Sequence, residues 1–146
     1  MKHIKYSWDE FEADCKKLAL KINIEEFDCI VGITRGGMVI ATLLAELLAK
    51  KELYSIGYNR YKGDERGDEL VRIGTVHQDL KDKRILLVDD ISDTGDTLAT
   101  AVHDLINKGN KLVTATIHYS KETSLMPDLT IKETKDWIDY PWDYHN

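Results

Sequence analysis

The chain has 146 residues, enough for one domain with a proper core, and 42% hydrophobic with 32% charged residues is ordinary for a globular protein. Its 20 basic and 26 acidic residues, net −6, argue against wrapping nucleic acid, although a small phosphorylated ligand needs only a local positive patch. No stretch reaches the ~20 apolar residues of a membrane span, and the opening M-K-H-I-K-Y-S-W-D-E lacks the apolar core of a leader, so a cytoplasmic protein is expected.

In chain order, Ser7 and Glu10 form a capping box for a helix whose stripe is Trp8, Phe11, Cys15, Leu18 and Ile22. Trp8 reads as packing material. Cys15 and Cys29 lack C-x-x-C or histidine spacing and read as core thiols of a reducing compartment. Asp28–Ile33 is a short buried strand that runs into Thr34, Arg35, Gly36 and Gly37, and a helix follows over Met38–Ala49. Glycines allow close backbone approach to a ligand, and arginine suits phosphate oxygens. The same four residues would also serve a plain strand–helix turn.

Leu53–Tyr58 predicts a second strand. Tyr61–Glu69, polar and punctuated by glycine, reads as a solvated hairpin or loop. Such a segment can also be a lid bringing Lys62, Arg66 and Arg72 down on a ligand. Val71 and Ile73 belong to a short returning strand, and Asp82-Lys83 to a turn.

The stretch R-I-L-L-V-D-D-I-S-D-T-G-D-T-L, Arg84 to Leu98, organises the rest. An apolar strand delivers Asp89 and Asp90 to its carboxyl end, Asp93 follows, and Thr94–Thr97 lead into a helix. In open α/β sheets, ligands sit at the carboxyl ends of strands, where helix N-termini present free N–H groups. The acids are therefore expected to handle a sugar or metal, and the loop a phosphate. The helix stops near Lys108-Gly109, and Lys111–Tyr119 forms a further strand ending in Ser120-Lys121. Beyond Pro127 come Leu129, Ile131 and the aromatic run D-W-I-D-Y-P-W-D, which could stack on a flat ligand or pack onto the domain. Alternating strands and helices predict an α/β fold with a mainly parallel central sheet flanked by helices.

G-x-x-x-x-G-K-[ST] and G-x-G-x-x-G are both absent. A phosphoacceptor receiver domain would carry its acid pair on the first strand, whereas Asp89-Asp90 falls past mid-chain. An apolar strand, two acids, two spacers and D-T-G-x-T resemble the phosphoribosyl-diphosphate (PRPP) signature of type I phosphoribosyltransferases. Thr34–Gly37 resembles the diphosphate loop of the purine branch, and Trp137–Asp143 the W-I-x-x-P-W-D of bacterial xanthine-guanine enzymes. The Y-S-W-D start and the chain length fit the same subgroup.

The resemblance implies a single domain over 1–146, with a lid at about 59–72 and a base-binding hood at about 121–146. It implies transfer of 5-phosphoribosyl from PRPP to N9 of guanine, xanthine or hypoxanthine, with Mg²⁺ as cofactor and a homodimer or homotetramer as the assembly. Asp89 and Asp90 would hold the ribose hydroxyls, directly or through Mg²⁺. Asp93 would be the acid/base near purine N7. Thr94, Gly95, Asp96 and Thr97 would cradle the 5′-phosphate, with the Asp96 side chain pointing away from the anion. Arg35 and Gly36 would bind the diphosphate through a peptide that is often cis in this family. Lys121 would donate to the 6-oxo group, Trp137 would stack on the base, and the Ile138 carbonyl would meet the C2 substituent. The lid departs from the pattern: Asp68 stands where relatives carry an arginine, which leaves Arg66 and Arg72 as candidates. The alternative is a non-catalytic protein of the same fold that senses PRPP or a nucleotide.

Overall fold

The computed structural model describes residues 1–64, 67–73 and 80–144, and the side chains of all of these except 61–64, 67 and 68. Its centre is the apolar run predicted as a strand, here β5 (Arg84–Ser92), buried from Ile85 to Asp89. Successive strand residues face opposite sides of a sheet, and the two sides of β5 meet different partners. Leu86 and Val88 pack with α1 (Trp8–Leu20) and α2 (Gly36–Leu48). Ile85 and Leu87 pack with Leu98, Ala101 and Leu105 of α3 (Asp96–Ile106). A strand buried on both faces needs a continuous apolar run, and that is what Ile85–Val88 provides.

Also in the sheet are β2 (Cys29–Thr34), β3 (Leu53–Asp64), β4 (Gly67–Ile73), β6 (Lys111–Tyr119) and β7 (Lys132–Glu133), in spatial order β4-β3-β2-β5-β6-β7. Every pairing is parallel except β3 with β4. The chain leaves β2 towards β3 on one side and returns through β5 to β6 on the other. The β2–β5 junction is thus the point at which strand order reverses, where open α/β sheets bind ligands.

The capping box is present: Ser7 Oγ accepts from Glu10 N at 3.1 Å, and Glu10 Oε2 accepts from Ser7 N at 2.8 Å. Four expectations are corrected. Trp8 is 55% exposed rather than core, because it opens the helix on its outer side and only one face leans on Phe11 and Trp142. The strand expected at Leu53–Tyr58 continues to Asp64, since the polar residues pair antiparallel with β4 in a hairpin, one of the two readings of that segment. Helix α3 ends at Ile106 with His103 as the basic residue of its last turn, and Gly109, at φ 82°, turns the chain beyond it. Finally, a two-stranded parallel sheet joins β1 (His3–Lys5) to β8 (Trp137–Asp139), where no N-terminal strand was foreseen.

Candidate functional site

Two loops emerge side by side at the β2–β5 junction. After β2 the chain passes a cis Thr34–Arg35 peptide and enters α2 at Gly36. The cis bond lies one peptide earlier than expected. Arg35 has helical dihedrals (φ −97°, ψ −43°) and leads directly into the helix, and the Arg35–Gly36 peptide is trans. Glycine is required at both loop positions by proximity to β5. A Cβ on Gly36 would lie 2.1 Å from Asp90 Oδ2, and one on Gly37 would lie 2.6 Å from the Val88 carbonyl oxygen. The two loops touch, and the Asp90 carboxylate lies directly over the Gly36 backbone.

Asp89 and Asp90 sit at the end of β5. Asp89 Oδ1 accepts from Asp90 N at 2.8 Å, and Asp90 Oδ1 accepts from Ile91 N at 2.8 Å. Burial pushes the Asp89 carboxyl well above its usual range, and the Asp90 charge adds to this. Asp90 is raised too, chiefly by burial and also by the charge of Asp143. Adjacent carboxyls whose charged forms burial disfavours suit a ligand that brings a cation or hydroxyl donors. No group of three acids, histidines or cysteines that could hold a metal occurs among the described residues. Mg²⁺ does not demand one, because it is usually held by one or two carboxylates together with water and ligand phosphates. The residues present therefore fit it.

Asp93 is exposed, and the chain then turns at Gly95 with φ 92° into α3. A Cβ there would meet Ser124 Oγ at 2.5 Å, so only glycine fits both the dihedral and the space. Asp96 N donates to Thr94 Oγ1 at 3.2 Å, so a bound phosphate would compete with the Thr94 hydroxyl for that donor. Thr97 stands in the first turn of α3, where backbone N–H groups have no helical acceptor. The Asp96 side chain pairs with a cation on β3. Its Oδ2 accepts from Arg60 Nη2 at 3.0 Å, which ties β3 to the start of α3 and offsets a charge unfavourable to phosphate.

A cavity of about 640 Å³ opens beside these loops, and Asp90, Asp93, Lys121, Trp137, Ile138 and Asp143 are among its lining. Lys121 Nζ lies 3.8 Å from Glu133 Oε1, an acid that the linear pattern did not single out. Trp137, 49% exposed, is the aromatic wall. In the β1–β8 ladder Trp137 N donates to Lys2 O, and Asp139 O accepts from Tyr6 N. Alternation along a parallel ladder then turns the N–H and C=O of Ile138 away from β1. Trp142 is the other unforeseen neighbour. Its ring stacks on Tyr140 (4.8 Å, 8°), and its Nε1 is buried with no hydrogen-bond partner among the described residues. The W-I-x-x-P-W spacing marked it only as aromatic.

The lid candidates fare differently. Arg72 lies across the ladder from Tyr58, so both side chains share one sheet face and reach Asp104 of α3. Arg72 Nη1 is 3.9 Å from Asp104, and the Tyr58 hydroxyl donates to it at 2.7 Å. That directs Arg72 to α3, and it is not among the residues bordering the cavity. Arg66, and the side chains of Lys62 and Asp68, lie outside the described residues.

Residues 6–146 match the family model of the phosphoribosyl transferase domain. The chain is 31% identical over 139 residues to the xanthine-guanine phosphoribosyltransferase of Chromohalobacter salexigens, covering 94% of this chain and 82% of that one. A purine phosphoribosyltransferase from Pyrococcus horikoshii superposes with a TM-score of 0.91 at 33% identity, over 100% of this chain and 97% of the other. The xanthine-guanine-hypoxanthine phosphoribosyltransferase of Helicobacter pylori gives a TM-score of 0.82 at 26% identity, covering 97% and 94%.

Proposed function

The chain belongs to the type I phosphoribosyltransferase family and is a purine phosphoribosyltransferase, and on that premise we propose that it transfers 5-phosphoribosyl from PRPP to N9 of a 6-oxopurine. The observation that carries this reading is the shared cavity: Asp90, Asp93, Lys121, Trp137 and Ile138 border one space at the sheet's reversal point. N9 bonds to C1 of the ribose as the C1–O bond to diphosphate breaks. Positioning and charge placement are the protein's contribution to that exchange.

In this reading Asp89 and Asp90 hold the ribose hydroxyls, Thr94–Thr97 the 5′-phosphate, and Arg35 with Gly36 the diphosphate. Mg²⁺, held by Asp89 and Asp90 together with PRPP oxygens, would neutralise charge on the departing diphosphate. Asp93 takes or shares the purine proton on the N7 side, and Trp137 stacks on the ring. Lys121 exchanges its weak tie to Glu133 for the 6-oxo oxygen. That donor disfavours adenine, whose 6-amino group offers it no acceptor. The Ile138 carbonyl, turned from the β1 ladder, meets the C2 substituent. The β3–β4 hairpin serves as the lid and the segment from Lys121 onward as the hood.

The test is to mix the protein with Mg²⁺, PRPP and guanine, xanthine, hypoxanthine or adenine, and to measure nucleotide and diphosphate. Turnover of at least one 6-oxopurine, none of adenine, and loss of turnover on chelation are expected. Asp93→Asn should lower kcat by about 10²–10⁴ while PRPP affinity holds. PRPP binding without turnover of any base would leave a sensor in place of an enzyme.

A further inference from the structure

Three neighbouring parallel strands deliver charged residues to one place at their carboxyl ends. Strand β5 ends at Ser92, β6 at Tyr119 and β7 at Glu133. In register, Ser92 lies beside Tyr119 and Tyr119 beside Glu133. Asp93 follows β5 directly and Lys121 follows β6 by two positions, and both border the cavity together with Glu133. Asp93 and Lys121 have roles at the base in the reading above. Glu133 has none.

The tie between Lys121 and Glu133 does little for the fold. The atoms are 3.8 Å apart and the side chains 78% and 33% exposed, so water screens the pair and it adds little stability. What the pair offers instead is a donor beside an acceptor at the edge of a ligand-sized space, because an ammonium only donates and a carboxylate only accepts. A 6-oxopurine carries the complementary pair on one edge, where O6 accepts and the adjoining N1–H donates. Those two atoms lie about 2.3 Å apart by ordinary amide bond lengths, and hydrogen bonds of about 2.8 Å leaving them end roughly 3–5 Å apart. The separation of Lys121 Nζ and Glu133 Oε1 falls within that span. Around the base, N7, O6, N1 and C2 follow in that order. Asp93, Lys121 and Ile138 are assigned to the first, second and fourth, and N1–H is the polar atom left between them.

We propose that Glu133 is a specificity-determining residue, its carboxylate accepting the N1–H of the 6-oxopurine while Lys121 donates to O6. This rests on the phosphoribosyl-transfer reading and deepens it by adding a second side chain that reads the base. The two residues exchange partners: Lys121 leaves Glu133 for O6, and N1–H takes the place of the ammonium at the carboxylate. Neither charge is then left without a partner. Guanine, xanthine and hypoxanthine all present O6 beside N1–H, so the contact is common to the three. Adenine presents the inverse, a donor at C6 and a bare acceptor at N1, and loses both contacts together.

The test compares wild type, Glu133→Ala and Glu133→Gln in turnover of hypoxanthine with PRPP and Mg²⁺. A competing ligand, 1-methylhypoxanthine, keeps O6 and lacks N1–H. Glu133→Ala should raise the KM for hypoxanthine about tenfold, leave the KM for PRPP unchanged, and weaken 1-methylhypoxanthine no further. Glu133→Gln keeps a carbonyl oxygen to accept N1–H and should recover most of the loss. A Gln variant as poor as the Ala variant would mean that the carboxylate charge only steers Lys121, and it overturns the inference. An unchanged KM for hypoxanthine in Glu133→Ala overturns it too, as does a wild type that binds 1-methylhypoxanthine as tightly as hypoxanthine. If wild type turns over no 6-oxopurine, the phosphoribosyl-transfer reading fails first. Turnover that Glu133→Ala leaves untouched sinks only the role of Glu133.

Discussion

Asp89 binds its proton more tightly in the folded chain than in the unfolded one, owing first to burial and then to Asp90. Such an acid opposes folding once it ionises. Its penalty is absent below the unfolded pKa of about 3.9 and grows as pH rises towards the raised folded value. Asp89→Asn keeps an oxygen to accept from Asp90 N and removes the charge. It should raise the thermal midpoint of the ligand-free protein by roughly 2–4 °C, about 1 kcal/mol at this chain length. PRPP should no longer raise that midpoint. Thermal denaturation with and without Mg²⁺ and PRPP measures both effects, and a variant less stable than wild type without ligand would count against a ligand-dependent charge at this position.

At the level of elements, the turn from β5 into α3 is the most constrained. Gly95→Ala adds a methyl at φ 92°, within 2.5 Å of Ser124 Oγ and 2.8 Å of Leu125 N. It should cost about 1–3 kcal/mol in urea unfolding and raise the KM for PRPP more than that for the purine. This turn was legible in the sequence because D-T-G-D-T needs a glycine in one place only. The capping box at Ser7, the two-sided strand Ile85–Val88 and the helix after Gly37 were legible for the same reason: each depends on neighbours a few residues away. Elements set by distant partners were not. Strand β1 has three exposed residues and exists only because β8 pairs with it. The outer half of β3 is too polar to read as a strand, and only β4 makes it one. Glu133 and Trp142 reach the site through folding of the segment after β6, where spacing along the chain carries little information.

Across the whole molecule, a buried polar chain ties the first helix to the acid strand. Asp14 of α1 accepts from the Tyr6 hydroxyl and pairs with Lys132 Nζ at 2.9 Å. The Tyr6 ring packs edge-on against His118 at 5.0 Å, and His118 Nδ1 lies 2.9 Å from the hydroxyl of Tyr140. Burial, aided by the Lys132 charge, holds His118 down to about 4. The unfolded chain therefore binds the extra proton between about 6.5 and that lower value, and stability falls as pH drops across the window. Asp14 and Glu10, the acids facing His118, work against the depression. Urea unfolding at pH 7 and pH 5 should show wild type losing about 2 kcal/mol that His118→Gln does not lose. Equal slopes would remove His118 as the group responsible.

The pairing of β1 with β8 also governs the order in which the working molecule comes into being. His3 lies against Trp137, near opposite ends of the chain, and closing so long a loop is entropically slow compared with the nearer contacts of β2, α2 and β3. On the ribosome, the acid strand and the turn into α3 can pack once β6 has emerged. Tyr6 and Phe11, meanwhile, wait for Tyr140 and Trp142. A nascent chain thus carries an assembled sugar-phosphate half beside an exposed aromatic face until its final residues arrive. A chaperone would meet that unfinished seam, and truncation just before Trp137 would leave it open permanently.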